Sequence, residues 1–222
     1  MPGTVYRDRR EAGQRLAALL LGHRNRQPVV LGLARGGVAV GVEVASVLGC
    51  PLESVFVRKI GVPGHEELAA GAVVDVPTPQ MVRNDEVCDI LHVSEAYLRA
   101  EAERQLVEIA RRRHAYVGAR PAVDVDGRTA IVVDDGIATG TSMRAALLAV
   151  RRTGPVALIM VVPAGPPDTL AVLAREVDEV VCPLRPEAFY AIGMFYHDFH
   201  QVDDDEVVAC LEEARGERTA RT

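Results

Sequence analysis

Short, almost continuously apolar runs alternate with stretches of helical spacing along this chain, and that alternation limits the fold more than any other feature. The runs are Val29–Leu33, Leu52–Ile60, Arg128–Val133, Val156–Val162 and Val177–Cys182. Each has strand length, and a strand without polar alternation must be covered on both faces. Val38–Leu48, Ser142–Arg152 and Asp168–Glu176 read as the helices between them, the first closed by Gly49 and Pro51. The expected class is therefore α/β, a parallel sheet flanked by helices. Two further helices are expected. One covers Arg7–Leu21, with Leu16, Leu19 and Leu20 on its buried stripe. The other runs from a Ser94 cap to about His114, with Leu98, Ala102, Leu106 and Ile109 inward and Glu95–Arg99 and Glu108–Arg112 pairs outward.

The remaining segments read as connections. Gly61–Glu67 is polar and punctuated by Gly and Pro, which predicts a loop. Ala70–Val76 and Gln80–Arg83 read as a β-hairpin around Pro77-Thr78-Pro79. Asp203 is placed to cap the last helix, with Glu206 three positions on. Residues 1–222 are expected to form one domain.

Charge and cysteine usage narrow the partners. The formal net charge is −6, which disfavours nucleic acid and anionic lipid, so an anionic ligand needs a small local positive site. The longest apolar run, Val156–Val162, is too short to cross a bilayer, and Met1–Arg10 contain no apolar leader. A chain of 222 residues buries enough surface to fold without bridges. Cys50, Cys88, Cys182 and Cys210 lack Cys-x-x-Cys spacing and read as reduced core thiols of a cytoplasmic protein. Lys59 is the only lysine among 25 Lys and Arg residues, which marks it as a place where a compact ammonium is wanted.

The chemistry concentrates in Ala130–Ser142, where an apolar strand ends in Asp134 and Asp135, followed by Gly136-Ile137-Ala138-Thr139-Gly140-Thr141-Ser142. Main-chain amides of such a loop, together with the start of the next helix, form a nest for phosphate, and Thr139, Thr141 and Ser142 add hydroxyls. Asp134 and Asp135 suit sugar hydroxyls or the shell of a magnesium ion rather than phosphate. The expected ligand has a phosphate at one end and a diol beside it. No lysine follows Gly140, so the loop is not a Walker A motif, and no Gly-x-Gly-x-x-Gly fingerprint occurs.

This stretch resembles the 5-phosphoribosyl-1-pyrophosphate (PRPP) motif of type I phosphoribosyltransferases. Gly32-Leu33-Ala34-Arg35-Gly36-Gly37 resembles that family's pyrophosphate loop, and Arg58-Lys59-Ile60-Gly61-Val62-Pro63-Gly64 the entry to its flexible catalytic β-hairpin loop. The resemblance runs from about Tyr6 to Glu213 and is nearest to a small bacterial group of predicted phosphoribosyltransferases. It implies transfer of the 5-phosphoribosyl group from PRPP to a nitrogenous acceptor, a nucleobase, with release of pyrophosphate. It implies that Ala138, Thr139, Gly140, Thr141 and Ser142 hold the 5-phosphate, and that Asp134 and Asp135 take the diol with an indirectly held Mg2+. Ala34, Arg35, Gly36 and Gly37 would take the pyrophosphate, with a cis peptide at Ala34–Arg35, while Arg58 and Lys59 would join when the loop closes.

A small hood over 183–202 would cover the acceptor with Phe189, Tyr190, Phe195 and Tyr196, aromatic faces suited to a planar base. The family is commonly a homodimer. Two departures bear on the acceptor. Ala138 stands where 6-oxopurine enzymes have an aspartate, and Val161-Val162-Pro163 lacks their base-reading lysine. The alternative implied by the same resemblance is a PRPP-binding regulator with little or no turnover; a phosphohydrolase or phosphorylase using the same pocket is a third reading.

Overall fold

The runs Val29–Leu33, Arg128–Val133 and Val156–Val162 form the middle of the sheet because nearly all of their residues are buried, whichever way they point, whereas Val177–Cys182 supplies an edge strand. The strands are β1 (Pro28–Leu33), β2 (Leu52–Val62), β3 (His65–Asp75), β4 (Gln80–Arg83), β5 (Thr129–Val133), β6 (Ala157–Val161) and β7 (Glu179–Val181). The computed structural model describes residues 6–76, 79–118 and 122–221. Among these the sheet order is β4-β3-β2-β1-β5-β6-β7. From β2 to β7 every neighbouring pair is parallel, while β3 and β4 add an antiparallel edge. This is the α/β class expected, a curled and mostly parallel sheet between helices.

Helices α1 (Arg9–Leu19), α2 (Gly36–Leu48), α3 (Asp85–Ile90), α4 (Glu95–Val117), α5 (Thr141–Arg151), α6 (Pro167–Leu173) and α7 (Asp204–Arg221) complete the described elements of this kind. Val30, Ile131 and Ile159 share one core with Leu16 of α1, Leu20 just past its end, Leu98 and Ile109 of α4 and Leu211 of α7. On the opposite face Leu31, Val132 and Leu158 pack with Met143 and Leu147 of α5 and Leu170 and Leu173 of α6. Each such buried aliphatic side chain contributes about 1.5–3 kcal/mol over its exposed state. A third, smaller cluster joins the N-terminal segment to the 183–202 region through Tyr6, Phe195 and Tyr196.

Caps follow the sequence closely. Ser94 accepts from the Tyr97 amide at the start of α4, and Gly49 closes α2 in the left-handed region at φ 68°. Asp203 and Glu206 make a reciprocal capping box at 2.8 and 2.9 Å before α7.

Three readings are corrected. Leu19 is 57% exposed, because the inward stripe of α1 runs through Arg9, Ala12 and Leu16 and continues to Leu20 at its C-cap. Gly61–Glu67 is not a loop: β2 and β3 continue through it and turn at Pro63-Gly64, where Gly64 has φ 78°. His65, Glu66 and Glu67 are polar because that end of the hairpin faces solvent, not because the backbone is irregular. Helix α3 follows an Asn84 cap that the sequence reading passed over. Pro77 and Thr78 of the expected hairpin turn lie outside the described residues.

Candidate active site

β1 and β5 are parallel neighbours with Gly32 opposite Val133, so the loops that leave them emerge side by side at the carboxyl end of the sheet. The first loop holds Ala34 and Arg35 and runs into Gly36 and Gly37 at the start of α2, and its Ala34–Arg35 peptide is cis, as the resemblance implied. The second holds Asp134 and Asp135. The two loops touch through glycine. A Cβ on Gly36 would sit 2.5 Å from Asp135 Cγ, and one on Gly37 would overlap the Val133 carbonyl and lie 3.0 Å from Asp134 Cα. Only a residue without a side chain allows this approach.

The acids are not equivalent. Asp135 accepts at Oδ2 from Arg9 Nε, 2.7 Å away, while Asp134 Oδ1 accepts from the Asp135 amide at 2.9 Å. Burial pushes both carboxyls up. The neighbouring Asp135 charge adds to that on Asp134, whereas Arg9 opposes it on Asp135. Around them the Tyr196 hydroxyl donates to the Asp135 carbonyl at 2.7 Å, and burial raises that phenol above its usual range.

Gly140 caps α5 in the left-handed region at φ 73°. The Arg144 amide bonds back to the Gly140 carbonyl at 2.8 Å, so the amides of Thr141, Ser142 and Met143 precede the first intrahelical bond. Ala138 and Thr139 are exposed, and Thr169 Oγ1 donates to the Ala138 carbonyl at 3.0 Å, steadying the loop from α6. These amides and hydroxyls suit an anion at the positive end of a helix.

Arg35 faces Asp204 of α7 at 3.7 Å, and the same carboxylate oxygen accepts from the Tyr116 hydroxyl at 2.6 Å. Arg58 and Lys59 do not converge. They are consecutive on β2, so they take opposite faces of the sheet. Lys59 is exposed; the Arg58 Nε is buried and has no hydrogen-bond partner among the described residues.

In the 183–202 region only part of the expected aromatic surface is available. Phe195 and Tyr196 are buried, with their faces against Phe189, Tyr6 and Phe199. Phe189 is half-buried and Tyr190 is 81% exposed. Phe195 and Tyr196 thus build the region's core instead of offering faces to a base.

Arg9 is the site residue that sequence reading missed. Its place on the inward stripe of α1 was a usable signal, since a buried cation requires a partner. His200, flanked by Asp198 at 3.0 Å and Glu206 at 2.7 Å, belongs to a surface ion network. No group of three or more His, Cys, Asp or Glu suited to a metal occurs among the described residues. A cleft of about 400 Å³ borders Thr139, Gly140 and Thr141 from the side of β3, α5 and α6, but neither acid lines it.

A family model described as "Phosphoribosyl transferase domain" matches residues 6–200. The chain belongs to the phosphoribosyltransferase family, in its type I branch. A Mycobacterium tuberculosis protein provisionally named a phosphoribosyl transferase is 42% identical over 210 residues, which cover 95% of this chain and 47% of that one. The chain thus spans about half the length of the curated relatives it matches. A crystal structure of a Thermus thermophilus protein is 41% identical, with a TM-score of 0.83 over 94% of this chain and 98% of that one. No helix among the described residues is long and apolar enough to cross a membrane.

Proposed function

We propose that this chain binds PRPP and transfers its 5-phosphoribosyl group to a nitrogenous acceptor, releasing pyrophosphate. The observation that carries the reading is the glycine-only contact between the Arg35-Gly36-Gly37 loop and the Asp134-Asp135 loop. It sets a cationic turn against a pair of acids beside an amide-lined helix start, an arrangement suited to pyrophosphate, diol and phosphate in that order.

In this reading the amides and hydroxyls of Ala138–Ser142 fix the 5-phosphate, while Asp134 and Asp135 orient the ribose hydroxyls. Holding the sugar at both ends turns a bimolecular encounter into a positioned one. Arg35 and the Gly36 and Gly37 amides neutralise charge that grows on the leaving pyrophosphate. Arg58, with its unpartnered buried Nε, is better placed for an anion than a fully paired arginine would be.

The acids fit a hard cation indirectly. Arg9 pairs directly with only one of the two carboxylates, and the described residues do not build a cage of their own. Asp134 and Asp135 would hold Mg2+ through the ligand's hydroxyls, where the ion supplies charge neutralisation at pyrophosphate. Ala138 and Pro163 offer neither carboxylate nor ammonium, which favours an acceptor other than a 6-oxopurine.

A panel of bases, incubated with PRPP and Mg2+, tests the reading by pyrophosphate release. Release that depends on one base supports it; no release and no PRPP binding overturns it. One observation favours the second reading, a PRPP-binding regulator: Arg35 is engaged by Asp204. Binding without release from any base would select it.

A further inference from the structure

Asp135 is the meeting point of three segments distant in sequence. Arg9, from the first turn of α1, donates from Nε to Asp135 Oδ2 at 2.7 Å and from Nη1 to the His200 carbonyl at 2.8 Å. Its guanidinium lies 3.9 Å from the centre of the Phe199 ring. Tyr196, from the 183–202 region, reaches the Asp135 carbonyl. Gly36 packs against the same oxygen, since a Cβ placed there would overlap Asp135 Oδ2. The Arg9 side chain is only 9% exposed and that of Asp135 13%. A cation so buried has given up its water shell, a loss that its partners must offset.

We infer that Arg9 is a positioning residue for Asp135: it pins one carboxylate oxygen and so aims the other at the ligand's hydroxyls. The inference rests on the proposed PRPP site and adds a residue outside the three loops that define it. It also assigns a geometric requirement. One planar guanidinium spans a carboxylate and a main-chain carbonyl at once, while its flat face covers an aromatic ring. An ammonium cannot do this, so lysine should be an incomplete substitute.

The test is calorimetric titration of the full chain with two probes, ribose 5-phosphate and inorganic phosphate. Arg9→Met removes the pin, and Arg9→Lys keeps the charge if the methionine variant fails to fold. The expected result for Arg9→Lys is ribose 5-phosphate binding weakened about tenfold, roughly the loss of one charge-assisted contact. Inorganic phosphate, which has no diol, should bind both variants as it binds the parent. In an Asp135→Asn background, Arg9→Lys should add little further loss, because the two residues act through one contact.

Unchanged ribose 5-phosphate affinity, equal weakening of both probes, or additive losses in the double variant would each overturn the inference. If the parent chain itself fails to bind ribose 5-phosphate, the PRPP reading falls and takes this inference with it.

Discussion

Alanine at Gly37 is the sharpest perturbation available to the contact between the two loops. Its Cβ would overlap the Val133 carbonyl and sit 3.0 Å from Asp134 Cα, both main-chain atoms of a buried strand end. No side chain can rotate to relieve the clash, so β1 and β5 loops must separate. Overpacking of this kind costs about 1–3 kcal/mol. Gly37 also lies in the first turn of α2, where alanine's better helix propensity returns about 0.5–1 kcal/mol. The net loss is up to about 2.5 kcal/mol, which for a domain of this size lowers Tm by up to about 10 °C. Gly216 in α7 is the control, since nothing lies within 4 Å of a Cβ placed there. Gly216→Ala should be neutral or stabilise by up to about 1 kcal/mol. Thermal melts of the two variants, followed by ribose 5-phosphate titration, read the outcome. A Gly37→Ala protein as stable as Gly216→Ala, with unaltered binding, would refute the claim that these loops are held in contact.

Four other outcomes follow from the same geometry. Asp134→Asn with Asp135→Asn should abolish pyrophosphate release while the circular dichroism spectrum at about 25 °C stays that of a folded chain, with Tm lowered because Arg9 loses its carboxylate partner. Tyr196→Phe should lose the 2.7 Å bond to Asp135 and about 0.5–1.5 kcal/mol of stability in urea unfolding. Tyr190→Ala, at an 81% exposed position, should leave Tm within about 1–2 °C of the parent; a fall in acceptor use alone would mark Tyr190 as part of the acceptor surface. Asp178 is held low chiefly by the Arg151 guanidinium, then by the Leu158 amide, so the folded state binds its proton less readily than the unfolded chain. Its stabilisation is present above the unfolded pKa and lost as pH falls through the lowered one. The stability gap to Asp178→Asn should therefore be open at pH 7 and close in acid.

The parallel core was legible because β1, β5 and β6 are buried on both faces, and only apolar residues satisfy that. The phosphate-type loop was legible for a different reason: acids, glycines and hydroxyls crowd into one short stretch, so local chemistry announces itself. Arg9 was not, because its partners Asp135 and His200 come together only when α1 docks on the sheet. Phe195 and Tyr196 misled for the same reason. Composition marks them as aromatic, but only the docking of Tyr6 and Phe199 decides that they are core. At Gly61–Glu67 polarity alone suggests irregular backbone, although an exposed hairpin end satisfies both the polarity and the strand pairing.

Calorimetric titration of PRPP with Mg2+ into the parent chain and into the Asp134→Asn/Asp135→Asn variant bears most directly on the pocket. Saturable binding of one PRPP per chain, weakened at least about tenfold by the paired substitution, is the predicted result. No binding to the parent, or equal affinity for both proteins, would contradict it.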